Sequence, residues 1–165
     1  MISKIISGGQ TGADQGALAA AQALGIPTGG WMPKGCLTEI GPRPDLLAFY
    51  NLQEHSSSRY PPRTQSNILA ADATLIVGNI ASSGSALTKR YAQVYKKPLY
   101  LVPWTPTNGF RDATNFPDKI FREWLIKHEV RTLNVAGNRE SQNPGIFYCV
   151  KYFLITNLAE ISLRA

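Results

Sequence analysis

Short apolar runs alternate along this chain with longer stretches in which apolar side chains recur every third or fourth position. The runs are Lys4 to Ser7, Thr28 to Met32, Leu47 to Leu52, Ala73 to Val77, Leu99 to Val102 and Thr132 to Ala136, and each predicts a strand. The stretches Asp14 to Leu24, Pro61 to Ala71, Gly84 to Tyr95 and Phe116 to Lys127 predict helices. Asn143 can cap, and Pro144 can open, a last helix reaching Asn157. Gly25 with Pro27 is a stop signal for the first helix. In the fourth, Ile120, Phe121, Trp124 and Leu125 share one face. Lys34 to Asp45, His55 to Ser58 and Pro103 to Asn115 lack a period and read as loops. Uninterrupted apolar strands alternating with helices predict an α/β fold: one Rossmann-like, doubly wound, mostly parallel sheet with helices on both faces. A single domain over 1–165 is expected, with no repeat or linker.

Three of these strands run into small, polar turns: Ser7 to Gly12, Gly78 to Ser85 and Gly137 to Gly145. In a parallel sheet the three turns share one edge, where this architecture binds ligands. The first, Ser7-Gly8-Gly9-Gln10-Thr11-Gly12-Ala13-Asp14, lets the backbone turn tightly and brings helix N–H groups forward, an arrangement suited to an anion. It is neither a P-loop nor a clean dinucleotide motif. Generic strand-turn-helix junctions also use glycine. The second turn offers Ser83, Gly84, Ser85 and Thr88 as another cradle, or an ordinary capped helix with Ser82 or Ser83 as cap. In the third, Arg139 could grip a phosphate in two places or simply pair with a carboxylate. Glu140 and Asp14 are the acid–base candidates at this edge, and a helix-capping role is the plainer reading of Asp14.

Charge and composition narrow the partners. The chain has 17 Lys and Arg against 11 Asp and Glu, a formal net charge of +6, which favours an anionic partner. The basic residues are scattered and no nucleic-acid-binding motif is visible, so a small anionic ligand is expected rather than a specific nucleic acid. No apolar run has the length of a membrane span and no signal-peptide layout is present, so a cytoplasmic location and no membrane partner are expected. Cys36 and Cys149 make no disulfide framework or metal motif. Cys149 reads as a core residue; Cys36, in a loop, leaves a reactive thiol open. His55 and His128 lack metal spacing, and no metal site is assigned. The serines at 56–58 lack the setting of a nucleophile elbow, and Tyr91 with Tyr95 reads as packing.

Taken together, several pieces of the chain resemble the family described as putative molybdenum-cofactor carriers, circularly permuted relatives of YpsA. These pieces are Ser7 to Gly12 with Asp14 and Ala17-Leu18, Gly25 to Trp31 with Pro33-Lys34-Gly35, Arg63-Thr64 with Asn67, Asp72 with Thr74 to Ile76, Gly84 with Leu87-Thr88, and Leu133 to Gly137 with Arg139 to Ser141 and Pro144 to Ile146. The family is related to Rossmann-like nucleotide binders that include the lysine-decarboxylase-like phosphoribohydrolases. The resemblance implies self-association into dimers or tetramers and a pocket for a phosphorylated ligand. Gly8, Gly9, Gln10, Thr11 and Gly12 would hold phosphate from one turn, and Gly84, Ser85 and Thr88 from the other. Trp31, Pro33 and Lys34 would wall the pocket. Where the phosphoribohydrolases place catalytic glutamates after their second glycine motif, this chain has Thr88-Lys89-Arg90, which weakens hydrolysis by that route. The expected role is binding and carriage of the molybdenum cofactor or another nucleotide or phosphate compound. The alternatives are a nucleoside-monophosphate hydrolase and a sensor of nucleotides or NAD derivatives.

Overall fold

The computed structural model of this chain describes residues 2–104 and 118–162, with side chains to 159; the expected loop from Pro103 to Asn115 and the helix start at Phe116 lie largely outside them. Five strands form one parallel sheet: β1 (Lys4–Ile6), β2 (Thr28–Gly29), β7 (Ala73–Gly78), β8 (Leu99–Pro103) and β9 (Thr132–Gly137). Their order is β2-β1-β9-β7-β8, so the last strand lies between β1 and β7. Two short pairs stand apart: parallel β3 (Trp31–Met32) with β6 (Gln53–Glu54), and antiparallel β4 (Leu37–Thr38) with β5 (Gly41–Pro42). The helices are α1 (Ala13–Ala23), α2 (Asp45–Phe49), α3 (Tyr60–Ala70), α4 (Ser83–Val94), α5 (Lys119–Lys127) and α6 (Ile146–Ser162).

Alternation along the strands explains the layering. Ile5, Leu75, Val77, Leu133 and Val135 join one core with Ala13, Ala17 and Ala20 of α1, Phe121 and Leu125 of α5, and Ile146, Val150 and Leu154 of α6. Small side chains on α1 let α6 come close; a methyl group at Gly16 would stand 2.4 Å from the Phe147 carbonyl oxygen. The opposite face is covered by α3 and α4. There the sheet presents Thr74 and Asn134, buried and joined by a 3.2 Å hydrogen bond. Cys149 is buried in the first core, where desolvation pushes its thiol up to about 12. A second cluster gathers Leu18, Met32, Leu46, Tyr50 and Leu52 around Cys36. Burial, then Glu54 and Asp45, raise the Cys36 thiol and hold it protonated, which disfavours the reactive role.

Four segments differ from the sequence-based expectation, each for a local reason. The run Leu47 to Leu52 is not a strand: Pro44 and Asp45 open α2, which turns Leu46 into the second cluster. The strand expected over Thr28 to Met32 breaks at Gly30, whose φ of +122° only glycine tolerates easily; a methyl group there would meet the Ser7 carbonyl oxygen at 2.1 Å. The loop from Lys34 to Asp45 contains the β4–β5 hairpin. Finally, α6 starts at Ile146 rather than Pro144, because Gly145 has φ +90° and cannot be helical. Asn143 is no cap: its amide group donates to the Trp104 carbonyl at 3.1 Å and to Asn138 Oδ1 at 3.2 Å.

Candidate functional site

Because β1, β9 and β7 are parallel neighbours, the turns that follow them meet at one edge of the sheet. From that edge α1 departs over one face and α4 over the other, which opens a crevice where the winding reverses. The crevice is a cavity of about 490 Å³, within the range of small-molecule sites. Its floor is the end of β9, Asn134 to Gly137, and its walls come from both cradles and from α3. Tyr60, Arg63, Thr64 and Asn67 all line it. Their spacing of three, four and seven places them on one stripe of α3. Pro61 and Pro62 in the first turn of α3 suit a helix start, where amide hydrogens are not needed.

Of the residues expected to hold a ligand, Gly8, Gln10, Ser83, Gly84, Thr88 and Arg139 line this crevice, together with Asp14. At the start of α4, Ser82 is the cap and accepts from the Ser85 amide at 3.3 Å. The Ser83 and Gly84 amides have no acceptor among the described residues, and a methyl group at Gly84 would meet nothing within 4 Å. This helix end is open to an anion. Ser85 is buried, with its hydroxyl bonded to that of Ser82 at 3.0 Å. Thr88 donates its hydroxyl to the Gly84 carbonyl at 3.0 Å.

The first cradle is used differently. The Gln10 amide donates to Asp14 Oδ2 at 3.2 Å, the Thr11 amide to Gln10 Oε1 at 3.0 Å, and the Ala13 amide to the Asn138 carbonyl at 3.0 Å. Much of its hydrogen-bonding capacity is therefore spent inside the protein. Gly9 packs toward Met32 and Leu52. Thr11 and Gly12 turn to a separate, more open cavity of about 710 Å³, shared with Glu39, Ile40, Glu140, Ser141 and Tyr148. Trp31 lies outside the crevice lining, its amide and carbonyl both taken by the Asn67 side chain at 2.9 and 3.2 Å. Lys34 is exposed and likewise outside it.

Positive charge in the crevice comes from two guanidinium groups. Arg63 lies across the α-carbon of Gly8, where a methyl group would stand 1.4 Å from its Nη1. It pairs with Asp14 at 3.5 Å; the side chains are 13% and 8% exposed. Arg63 Nε and Gln10 Nε2 are buried donors without an acceptor among the described residues. Arg139 forms no ion pair within 4.0 Å among the described residues, although its charge acts on the Glu39 carboxylate. Both guanidiniums instead lie against the Tyr60 ring, 5.6 Å (Arg63) and 5.1 Å (Arg139) from its centroid. The periodic polar stripe of α3 was the available sequence signal for Arg63 and Tyr60, which expectations built on the turns alone passed over.

The two acid–base candidates part company. Asp14 is buried on the crevice wall, and burial raises its carboxyl despite the opposing pull of Arg63 and the Gln10 amide. It is not the helix cap: Gly12 holds that position, with no side-chain cap. Glu140 accepts from the Gly145 amide at 2.6 Å and the Phe147 amide at 3.1 Å, and so caps α6 outside the crevice. Glu140→Gln places an amide group against one of those donors. It is expected to lower stability by about 1–2 kcal/mol, read as a fall in melting temperature, while anion binding persists. The sequence reading missed Glu39. Burial pushes its carboxyl up, but hydrogen bonds from Ser141 and Thr11, with Arg139 nearby, outweigh that and hold it low.

Comparison with known proteins adds the following. Residues 5–158 match the model of the Circularly permutated YpsA SLOG family. A crystal structure described as "Putative molybdenum carrier protein" from Syntrophus aciditrophicus SB is 40% identical, with 94% of each chain covered and a TM-score of 0.81. No curated protein matches the chain.

Proposed function

Since this chain belongs to the circularly permutated YpsA SLOG family, we propose that its crevice holds a phosphorylated small molecule, the molybdenum cofactor, as cargo. The observation that carries this reading is the convergence of Arg63 and Arg139 with the unpaired amides of Ser83 and Gly84 around one cavity. Each charge-assisted hydrogen bond contributes about 1.5–3 kcal/mol, and a partly buried helix end up to about 2. After binding costs, such a set corresponds to roughly millimolar to micromolar affinity. That range suits a carrier that must pass its ligand on.

The name of the similar solved protein supports the choice of cargo. The side chains present suit the phosphate end: the crevice lining contains no cysteine or histidine, and no group of three His, Cys, Asp or Glu fit for a metal occurs among the described residues. The phosphate would meet Arg63, Arg139 and the start of α4, while the polar floor at Asn134 and the Tyr60 ring offer contacts to a heterocycle. Purified protein is expected to retain molybdopterin and slow its oxidation. A protein that does neither in a competition assay is not its carrier.

One observation favours a second reading, nucleotide hydrolysis: the desolvated carboxyl of Asp14 lies on the crevice wall. Release of base or phosphate from nucleoside monophosphates, abolished in Asp14→Asn, would establish it, and the capping position of Glu140 makes Asp14 the better acid–base group. We also propose a cytoplasmic protein that forms dimers or tetramers, for which exposed apolar side chains such as Phe49, Ile120 and Ile126 offer surface.

A further inference from the structure

Arg63 is short of partners. Its contact with Asp14 is 3.5 Å, longer than the roughly 2.7–2.9 Å of a strong charge-assisted bond, and its Nε is buried without an acceptor among the described residues. Both side chains line the crevice into which an anion would come. A buried carboxylate and a second anion close together repel strongly, and such pairs are relieved by protonation. Asp14 has two further partners, the Gln10 amide at 3.2 Å and the Ser7 side chain just past β1, and neither carries a charge. From α3 come Arg63 and the Tyr60 phenol. The turn after β9 brings Arg139, drawn to the Tyr60 ring, and Glu140, engaged by amides of the α6 start. Glu39 of the β4–β5 hairpin is held by Thr11 and Ser141. Arg63 is thus the one cation acting directly on Asp14 among the described residues.

We propose that an anionic group entering the crevice takes Arg63 over from Asp14, and that Asp14 then accepts one proton from solvent, so that anion binding and proton uptake are coupled. The inference rests on the anion-binding reading of the crevice and adds its regulation. It makes the cargo easier to load at lower pH and easier to release at higher pH. Across the interval in which Asp14 is ionised in the free protein and protonated in the complex, affinity falls by up to about tenfold per pH unit.

The test uses the full chain with inorganic sulfate, whose own charge is constant near neutrality. Sulfate binding is followed by calorimetry in buffers of different ionisation enthalpy, over the pH range in which the protein stays folded. The expected result is a net proton uptake on sulfate binding, of at most one proton per sulfate, and a loss of affinity as pH rises through the interval of uptake. In Asp14→Asn the uptake disappears, affinity becomes flat with pH and exceeds that of the unsubstituted protein at the upper end. Should that variant fail to fold, the buffer dependence of the unsubstituted protein decides alone. Sulfate bound with no uptake and no pH dependence overturns the coupling and leaves the crevice an anion site. No binding of sulfate or pyrophosphate overturns both.

Discussion

Arg63→Gln is expected to weaken the binding of AMP or pyrophosphate about ten- to hundredfold, the equivalent of one charge-assisted hydrogen bond or more. It is also expected to destabilise the protein, and the two effects are separable. Removing Arg63 strands the Asp14 carboxyl, 8% exposed, without the cation that opposes its desolvation. Losing one partner of a buried pair costs about 3 kcal/mol or more. The sign of the pH dependence follows from the direction of the Asp14 shift. Its carboxyl is raised in the folded protein, so the folded state binds the proton more readily than the unfolded chain, and stability falls as pH rises. Without Arg63 the shift grows. The variant and the parent should therefore have similar stability at acidic pH, where Asp14 is neutral in both, and diverge as pH rises. Denaturant titrations across that range check this. The double substitution Asp14→Asn, Arg63→Gln removes both buried charges; it should recover much of the stability and, at acidic pH where Asp14 is neutral in any case, none of the binding. Recovery of binding would show that Arg63 acts only through the fold.

Gly12→Ala is expected to cost about 3–5 kcal/mol, from a backbone conformation open almost only to glycine and from overlap in a packed site. Gly12 has φ +76° and ψ −123°. A methyl group on it would stand 2.5 Å from the Asn138 carbonyl oxygen and 2.6 Å from the Glu140 amide nitrogen. Neither neighbour is a flexible side-chain end. Both belong to the turn after β9, which Thr11, Glu39 and Ser141 bind to the first cradle. For a chain of this size the loss corresponds to a fall of about 10 °C in melting temperature. Calorimetry reads it directly. The family resemblance casts this glycine as a phosphate ligand. If ligand affinity per folded molecule drops while melting is unchanged, that role stands and the packing argument fails.

Gly12 and Arg63 together illustrate how far the chain can be read without coordinates. Glycine at the strand-to-helix junction was legible, since a tight turn needs it. What lay beyond the glycine was not: nothing in the local sequence says that the backbone of residues 138–140 will press on it. Arg63 was visible in the motif Arg63-Thr64 with Asn67, yet its place in the crevice depends on α3 packing beside α4 over β9. Glu140 and Asp14 looked equivalent as carboxylates near one edge. One caps α6 and the other lines the cavity, because side chains from adjacent turns were sorted to opposite sides of that edge.

Periodicity and punctuation by themselves determined the parallel α/β architecture, the helices over 13–23, 60–70 and 83–94 to within a residue or two, and the meeting of three small-residue turns at one edge. Those features follow from local rules: apolar runs pair side by side, and amphipathic helices cover them. Only the tertiary structure decided which amides stay free, which carboxylate is spent on a helix end, and which guanidiniums face the cavity. Those outcomes depend on groups far apart in the chain competing for the same hydrogen bonds, a competition settled only when β9 closes between β1 and β7.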